Sequence, residues 1–160
     1  MLNITTARCA GLVLALASIG ALFQAEAGTG TKSASGEAQT YKQECSACHI
    51  AYPAGMLPPA SWKRLMGDLS HHFGQDASLD AKTVATLSEW LVRNGGTLRH
   101  DPSPPPQDRI TLSKWFLRQH GEVRAATWKR ASIKGPSNCI ACHAAADTGN
   151  FSERNVHIPR

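Results

Sequence analysis

No apolar run in this sequence is long enough to cross a bilayer. The longest occupies residues 11–23, 13 positions of which only Ser18 is polar, whereas a spanning helix needs roughly 20. Charge is sparse too: 18% of residues are charged against 42% hydrophobic, a balance that excludes wholesale disorder. With 160 residues there is room for one domain or two very small ones, and too little for a large multidomain enzyme. Strand signals are weak, no βαβ pattern is visible and no segment repeats convincingly. The fold class expected is therefore all-α with long loops.

Residues 1–10 carry one basic residue, Arg8, and no acid; the apolar run follows, and Ala25-Glu26-Ala27 then offers small residues at both positions of an A-x-A cleavage site. This reads as a signal peptide over residues 1–27, with a mature chain starting at Gly28. Cys9 precedes the apolar run, whereas a lipid-modified cysteine would follow it, so no lipoprotein signal is present. Export places the chain in an oxidising compartment, with a bacterial periplasm as the expected localisation.

Once Cys9 is set aside, no cysteine remains for a disulfide framework or a separate nucleophile. The other four occur in two copies of one pattern, Cys45-Ser46-Ala47-Cys48-His49 and Cys139-Ile140-Ala141-Cys142-His143. Two thiols three residues apart project from one helical turn and can add to the two vinyl groups of a single porphyrin. The histidine that follows then lies under the ring and can bind iron. C-x-x-C-H is the attachment pattern of c-type heme, its histidine the proximal ligand. Two copies predict two heme c groups, held by Cys45, Cys48, Cys139 and Cys142, with His49 and His143 on iron. A zinc site would place its knuckles about 15–20 residues apart, but 90 residues lie between Cys48 and Cys139. A thioredoxin-like dithiol lacks its βαβ context, and two tight disulfides leave both histidines unexplained.

The second face of each iron decides between a sealed electron carrier and an open, reactive site. The candidates are His71, His72, His100, His120, His157, Met56 and Met66. Over residues 61–73, Trp62, Leu65, Met66, Leu69 and Phe73 recur at helical spacing. On that helix His72 falls about 80° from Trp62, at the edge of the apolar stripe, and His71 about 180° away on the polar face. His72 is favoured for the first heme, with Met66 and the loop residue Met56 as rivals. In the second half His120 follows Phe116 by four residues and precedes Val123 by three, so it shares their face. His120 is favoured there over His157, which lies in the terminal tail, and His100, which opens a proline-rich stretch.

The expected organisation is a Gly/Ser/Thr-rich flexible leader over 28–36, an N-terminal heme domain over 37–99, a proline-rich linker over 100–106 and a C-terminal heme domain over 107–160. Helices are expected over 37–48, ending at the first attachment site, then over 61–73, 80–93 and most of 113–129, with a break at Gly121. Gly135-Pro136 should turn the chain into a second attachment helix, with Ser137 or Asn138 as its cap. Domains of about 60 residues bury too little surface alone, so a tethered heme supplies the missing core. Trp62, Trp90, Trp115 and Trp128 are expected to pack around these plates. Residues 37–99 carry six acids and six bases, whereas residues 107–138 carry seven bases against Asp108 and Glu122. A basic surface near the second heme could steer an acidic redox partner, and nucleic acid is not an expected partner of an exported heme protein.

With these residues in view, the sequence resembles the small periplasmic diheme cytochrome c family. The matching stretches are CSACHIAYPAGML at 45–57, SWKRLM at 61–66, LSHHFGQDASL at 69–79, WFLRQH at 115–120, NCIACH at 138–143 and GNFSERNVHIP at 149–159. The resemblance implies bis-histidine ligation, with His72 and His120 matching the distal positions. It also implies an N-terminal domain similar to class I cytochrome c and a less familiar C-terminal heme domain. As partners it implies a membrane cytochrome b or quinol-linked donor, and an oxygen-binding monoheme cytochrome c as acceptor. The function expected is single-electron carriage, not enzymatic turnover. The alternative is a small heme peroxidase or nitrogen-oxide reductase with one open iron.

Overall fold

The best-formed helix begins where Asp80 caps it. The Asp80 carboxylate accepts hydrogen bonds from the backbone N–H groups of Lys82 and Thr83, both at 3.0 Å, filling two of the donors that a helix start leaves open. Helix α3 (Ala81–Asn94) follows, and its Leu87 and Leu91, one turn apart, are fully buried. Each such side chain contributes about 1.5–3 kcal/mol of burial. The structure, a computed structural model, describes residues 29–97 and 103–160. Helices α1 (Thr29–Cys45) and α2 (Pro59–Gly67) pack against α3. Proline at the first position of α2 costs nothing, because that N–H has no helical acceptor. Tyr41, Ala54, Leu57, Trp62 and Met66 complete this core, and the Trp62 indole N–H is satisfied by the Ala54 carbonyl at 2.7 Å.

The second half is thinner. Helix α4 (Lys114–Gln119) is capped by Ser113, whose hydroxyl accepts from the Phe116 N–H at 3.1 Å. A single turn, α5 (Ala125–Trp128), comes next. The remainder is loops and 3-10 turns, and its buried apolar side chains are Phe116, Ile133 and Ala146. So small a core does not hold a fold without help. Part of that help comes from the first half: Arg64 makes a two-pronged bond to Asp108 at 2.8 and 2.6 Å, and Ile110 packs against the first core. Among the described residues there are two isolated bridges and no strand, so the architecture is all-α with long loops.

Local detail departs from the sequence expectation at several places. Residues 29–36, read as a flexible leader, form the first turns of α1. Extending an existing helix needs no new nucleus, so Ser and Thr are tolerated there. Helix α1 stops at Cys45, and Cys48 and His49 lie in the turn beyond it. The helix expected over 61–73 ends at Gly67, because Asp68 (φ −145°, ψ 52°) leaves the helical region. A separate 3-10 turn, Leu69–His71, then delivers His72. Residues 113–129 are split between His120 and Arg124, a longer break than Gly121 alone predicts. The second attachment site is a single 3-10 turn, Cys139–Ala141, not a helix. Its expected cap, Asn138, instead donates from its side-chain amide to the Ile133 carbonyl at 3.0 Å. The signal peptide, His100 and residues 101–102 of the linker lie outside the described residues. Pro105 is extended, and Pro106 opens a 3-10 turn, Pro106–Asp108.

Candidate cofactor sites

Each half of the chain brings one C-x-x-C-H loop opposite a second histidine. In the first, the rings of His49 and His72 face each other with centroids 6.2 Å apart and planes inclined by 27°. In the second, His120 and His143 stand 6.1 Å apart, inclined by 72°. A nitrogen–metal bond of about 2 Å on each side, plus about 1.1 Å from nitrogen to ring centre, puts two imidazoles sharing one metal at about 6 Å. The spacing therefore leaves room for one iron between each pair, and the pairs do not cross between halves.

Hydrogen bonds behind two of the imidazoles fit the same use. His49 Nδ1 lies 2.7 Å from the carbonyl of Ile50, and His120 Nδ1 lies 3.0 Å from that of Phe116. A proton shared with a carbonyl on Nδ1 leaves the Nε2 lone pair free for a metal and fixes the ring plane. Burial lowers the pKa of His72, with His49 and Arg109 adding to it, and burial likewise lowers that of His143, with His120 adding. Neutral imidazole, the form that binds metal, is thereby favoured. The buried Nδ1 atoms of His72 and His143 and the indole nitrogen of Trp115 have no hydrogen-bond partner among the described residues. Phe73, next to His72, and Ile140, between the second pair of cysteines, expose 41% and 48% of their surface. Apolar surface beside paired imidazoles is what a porphyrin plate covers.

Among the described residues Cys45, Cys48, Cys139 and Cys142 form no disulfide, so all four sulfurs are available for attachment. Burial pushes the Cys45 thiol up to about 11, with Glu44 adding to the effect, and burial also raises Cys139 and Cys142. These are the reverse of an activated dithiol, whose thiolate is stabilised near neutral pH. Among the described residues no three or more His, Cys, Asp or Glu side chains converge to hold a bare metal ion, as a zinc knuckle would require.

The rival residues fall elsewhere. Met66 is buried in the first core, and Met56 lines a cleft of about 500 Å³ with Trp115 and Phe151. His71 is exposed and paired with Asp68 at 2.7 Å, which raises its pKa. His157 is exposed as well, although its backbone N–H donates to the Cys142 carbonyl at 2.9 Å. The terminal tail is thus fastened at the second attachment loop, and Val156 forms a bridge with His143. Of the tryptophans, Trp128 packs at a tilt against Phe116 and His120, while Trp62 and Trp90 pack around Tyr41 in the first core.

Sequence reading missed three side chains around the imidazoles. Tyr52 stacks on His49 at 4.7 Å, and Phe151 lies 5.6 Å from His143. Arg109 sits over the ring of Phe73 at 4.2 Å, holding a residue with φ of 51° immediately after His72. A bulky side chain in that left-handed region is strained by about 1–2 kcal/mol, and the cation–π contact helps to hold it. Tyr52 and Phe151 both lie inside stretches that carry the family resemblance, 45–57 and 149–159, which was the signal available beforehand.

A helical chain with two C-x-x-C-H loops, each faced by a further imidazole, has the layout of a multiheme c-type cytochrome. The sequence profile of the family described as dihaem cytochrome c matches residues 41–151. Among solved structures, a diheme cytochrome type c from Shewanella baltica is similar at 34% identity and a TM-score of 0.68, covering 77% of this chain and 94% of that one. A diheme cytochrome c purified from Rhodobacter sphaeroides is similar at 41% identity and a TM-score of 0.61, covering 71% and 96% respectively. No curated protein sequence matches. This chain belongs to the dihaem cytochrome c family. It binds two c-type hemes and has the electron-carrier role of that family.

Proposed function

We propose that the protein is an exported single-electron carrier in which both irons are closed by two histidines each, His49 with His72 and His143 with His120. The observation that carries this reading is the pair of imidazole separations, 6.2 and 6.1 Å, each matched to one metal. Each heme, when bound, supplies a one-electron ferric/ferrous couple. The protein's part is to hold it: Cys45 and Cys48, or Cys139 and Cys142, tether the porphyrin edge. Hydrogen-bonded His49 and His120 would each supply one imidazole nitrogen to an iron, with His72 and His143 as their counterparts. Two nitrogen ligands on each iron favour low-spin hemes with lower potentials than His/Met cytochromes.

Carbon monoxide offered to the dithionite-reduced holoprotein tests the closure. No uptake is expected. Prompt, stoichiometric uptake would overturn it in favour of a small heme enzyme with an open iron.

Export rests on the signal-like residues 1–27, and no helix among the described residues is long and apolar enough to cross a membrane. An intact mass beginning at Gly28 is expected for protein recovered from the periplasm, and a retained leader would refute cleavage. For docking, Arg118, Arg124, Lys129, Arg130 and Lys134 are all exposed, a cationic surface suited to an acidic redox partner. A membrane cytochrome b or quinol-linked donor and an oxygen-binding monoheme cytochrome c acceptor are the partner classes proposed. Electron-transfer rates with the partner should fall as salt rises; insensitivity to ionic strength would count against this surface.

A further inference from the structure

Tyr52 touches both cofactor sites. Its ring is stacked on His49, the first C-x-x-C-H histidine, at 4.7 Å with planes inclined by only 25°. Its hydroxyl donates a 2.8 Å hydrogen bond to the carbonyl of Ser137, 85 residues away in sequence. Ser137 lies two residues before Cys139, the first attachment cysteine of the second site, whose Sγ stands 3.7 Å from that same carbonyl. The backbone of Tyr52 is also fixed, because its own carbonyl accepts from the hydroxyl of buried Tyr41 at 2.7 Å. Tyr41 in turn packs between Trp62 and Trp90 in the first core. One side chain, anchored to the first core, thus lies against an imidazole with its face and bonds the second attachment loop with its tip.

We propose that Tyr52 is a positioning residue that links the two heme sites, fixing the His49 ring plane and the separation across which electrons pass between the hemes. The link rests on the ligand assignment of His49 given above. In the exchange, one electron leaves the iron of one site and arrives at the iron of the other. The phenol keeps its O–H bond throughout and is neither oxidised nor deprotonated.

Two variants separate the ring from the hydroxyl. Tyr52→Phe keeps the stack and removes the hydrogen bond, and Tyr52→Leu removes both. Each is produced as holoprotein with two hemes, and exchange between them is followed by absorbance after flash photoreduction. The electron paramagnetic resonance g-values of the first heme report the orientation of its imidazoles.

For Tyr52→Phe we expect unchanged g-values and slowed exchange, by at most about fivefold, the factor by which losing one ordinary net hydrogen bond lowers the equilibrium constant of the linked arrangement. For Tyr52→Leu we expect shifted g-values and exchange slowed at least as much. Wild-type exchange in Tyr52→Phe overturns the link through Ser137, and unchanged g-values in Tyr52→Leu overturn the control of His49. If Tyr52→Leu fails to load its first heme, Tyr52→Phe alone decides the link. A high-spin band in the resting wild-type protein defeats the bis-histidine reading instead, and the exchange rates still decide the link.

Discussion

Gly96 and Gly55 touch each other, yet only one of them should tolerate a methyl group. A Cβ added at Gly96 would stand 2.5 Å from the carbonyl oxygen of Gly55 and 2.9 Å from its Cα. Ordinary carbon–oxygen contact begins at about 3.3 Å, so the backbone of the turn Ala54–Met56 must retreat by roughly 0.8 Å. That turn cannot retreat cheaply. The Trp62 indole holds its Ala54 carbonyl, and the Gly96 N–H itself donates to Leu57 at 3.0 Å. The backbone at Gly96 is not left-handed, so the penalty of Gly96→Ala is steric and not conformational. Overpacking of this kind costs about 1–3 kcal/mol, which for a chain of this length lowers Tm by roughly 5 °C. Gly55→Ala is the control, since a Cβ there meets nothing within 4 Å; it should be neutral or slightly stabilising. Both variants are read by thermal and guanidinium unfolding of the two-heme protein. If Gly96→Ala stays within about 0.5 kcal/mol of wild type, the close packing of this loop against the end of α3 is wrong.

The proposed iron ligands can be tested one at a time. His72→Ala and His120→Ala should each turn one of the two hemes high-spin and open it to carbon monoxide, with both porphyrins still attached; absorption spectra that stay low-spin in both variants would refute the assignment. The Arg64–Asp108 bond carries a pH signature. The Arg64 guanidinium holds the Asp108 carboxyl below the ordinary aspartate value of 3.8, so folding favours its ionised form. Its contribution is complete above that value and is lost as pH falls through the lower, folded-state value. Asp108→Asn should lower the denaturation midpoint modestly at neutral pH, since Arg64 is about half exposed and the bond is screened. The gap to wild type should close in acid, and a gap independent of pH would refute the role.

What could be read from residue order alone was the covalent chemistry and a short set of candidate imidazoles. Two thiols and a histidine within five positions sit on one local turn whatever the rest of the chain does, so C-x-x-C-H speaks for itself. The favoured His72 and His120 are brought opposite His49 and His143, although the route by which His72 arrives differs. Periodicity carried one helix from residue 61 to 73, because hydrophobic spacing does not register that Gly67 and Asp68 end it. The capped helix α3 was legible to within a residue, since Asp80 and Gly95-Gly96 mark its ends by local chemistry.

Tertiary structure alone decided which imidazoles face each other, and that both pairs form within a half. It also decided that Tyr52, Arg109 and Asp108 join segments far apart in sequence. Those contacts depend on where separate chain segments meet, and no local pattern encodes a meeting between Tyr52 and Ser137, 85 positions apart. Attachment is written in neighbouring residues, whereas the geometry that lets two attached groups work as a pair is set by packing.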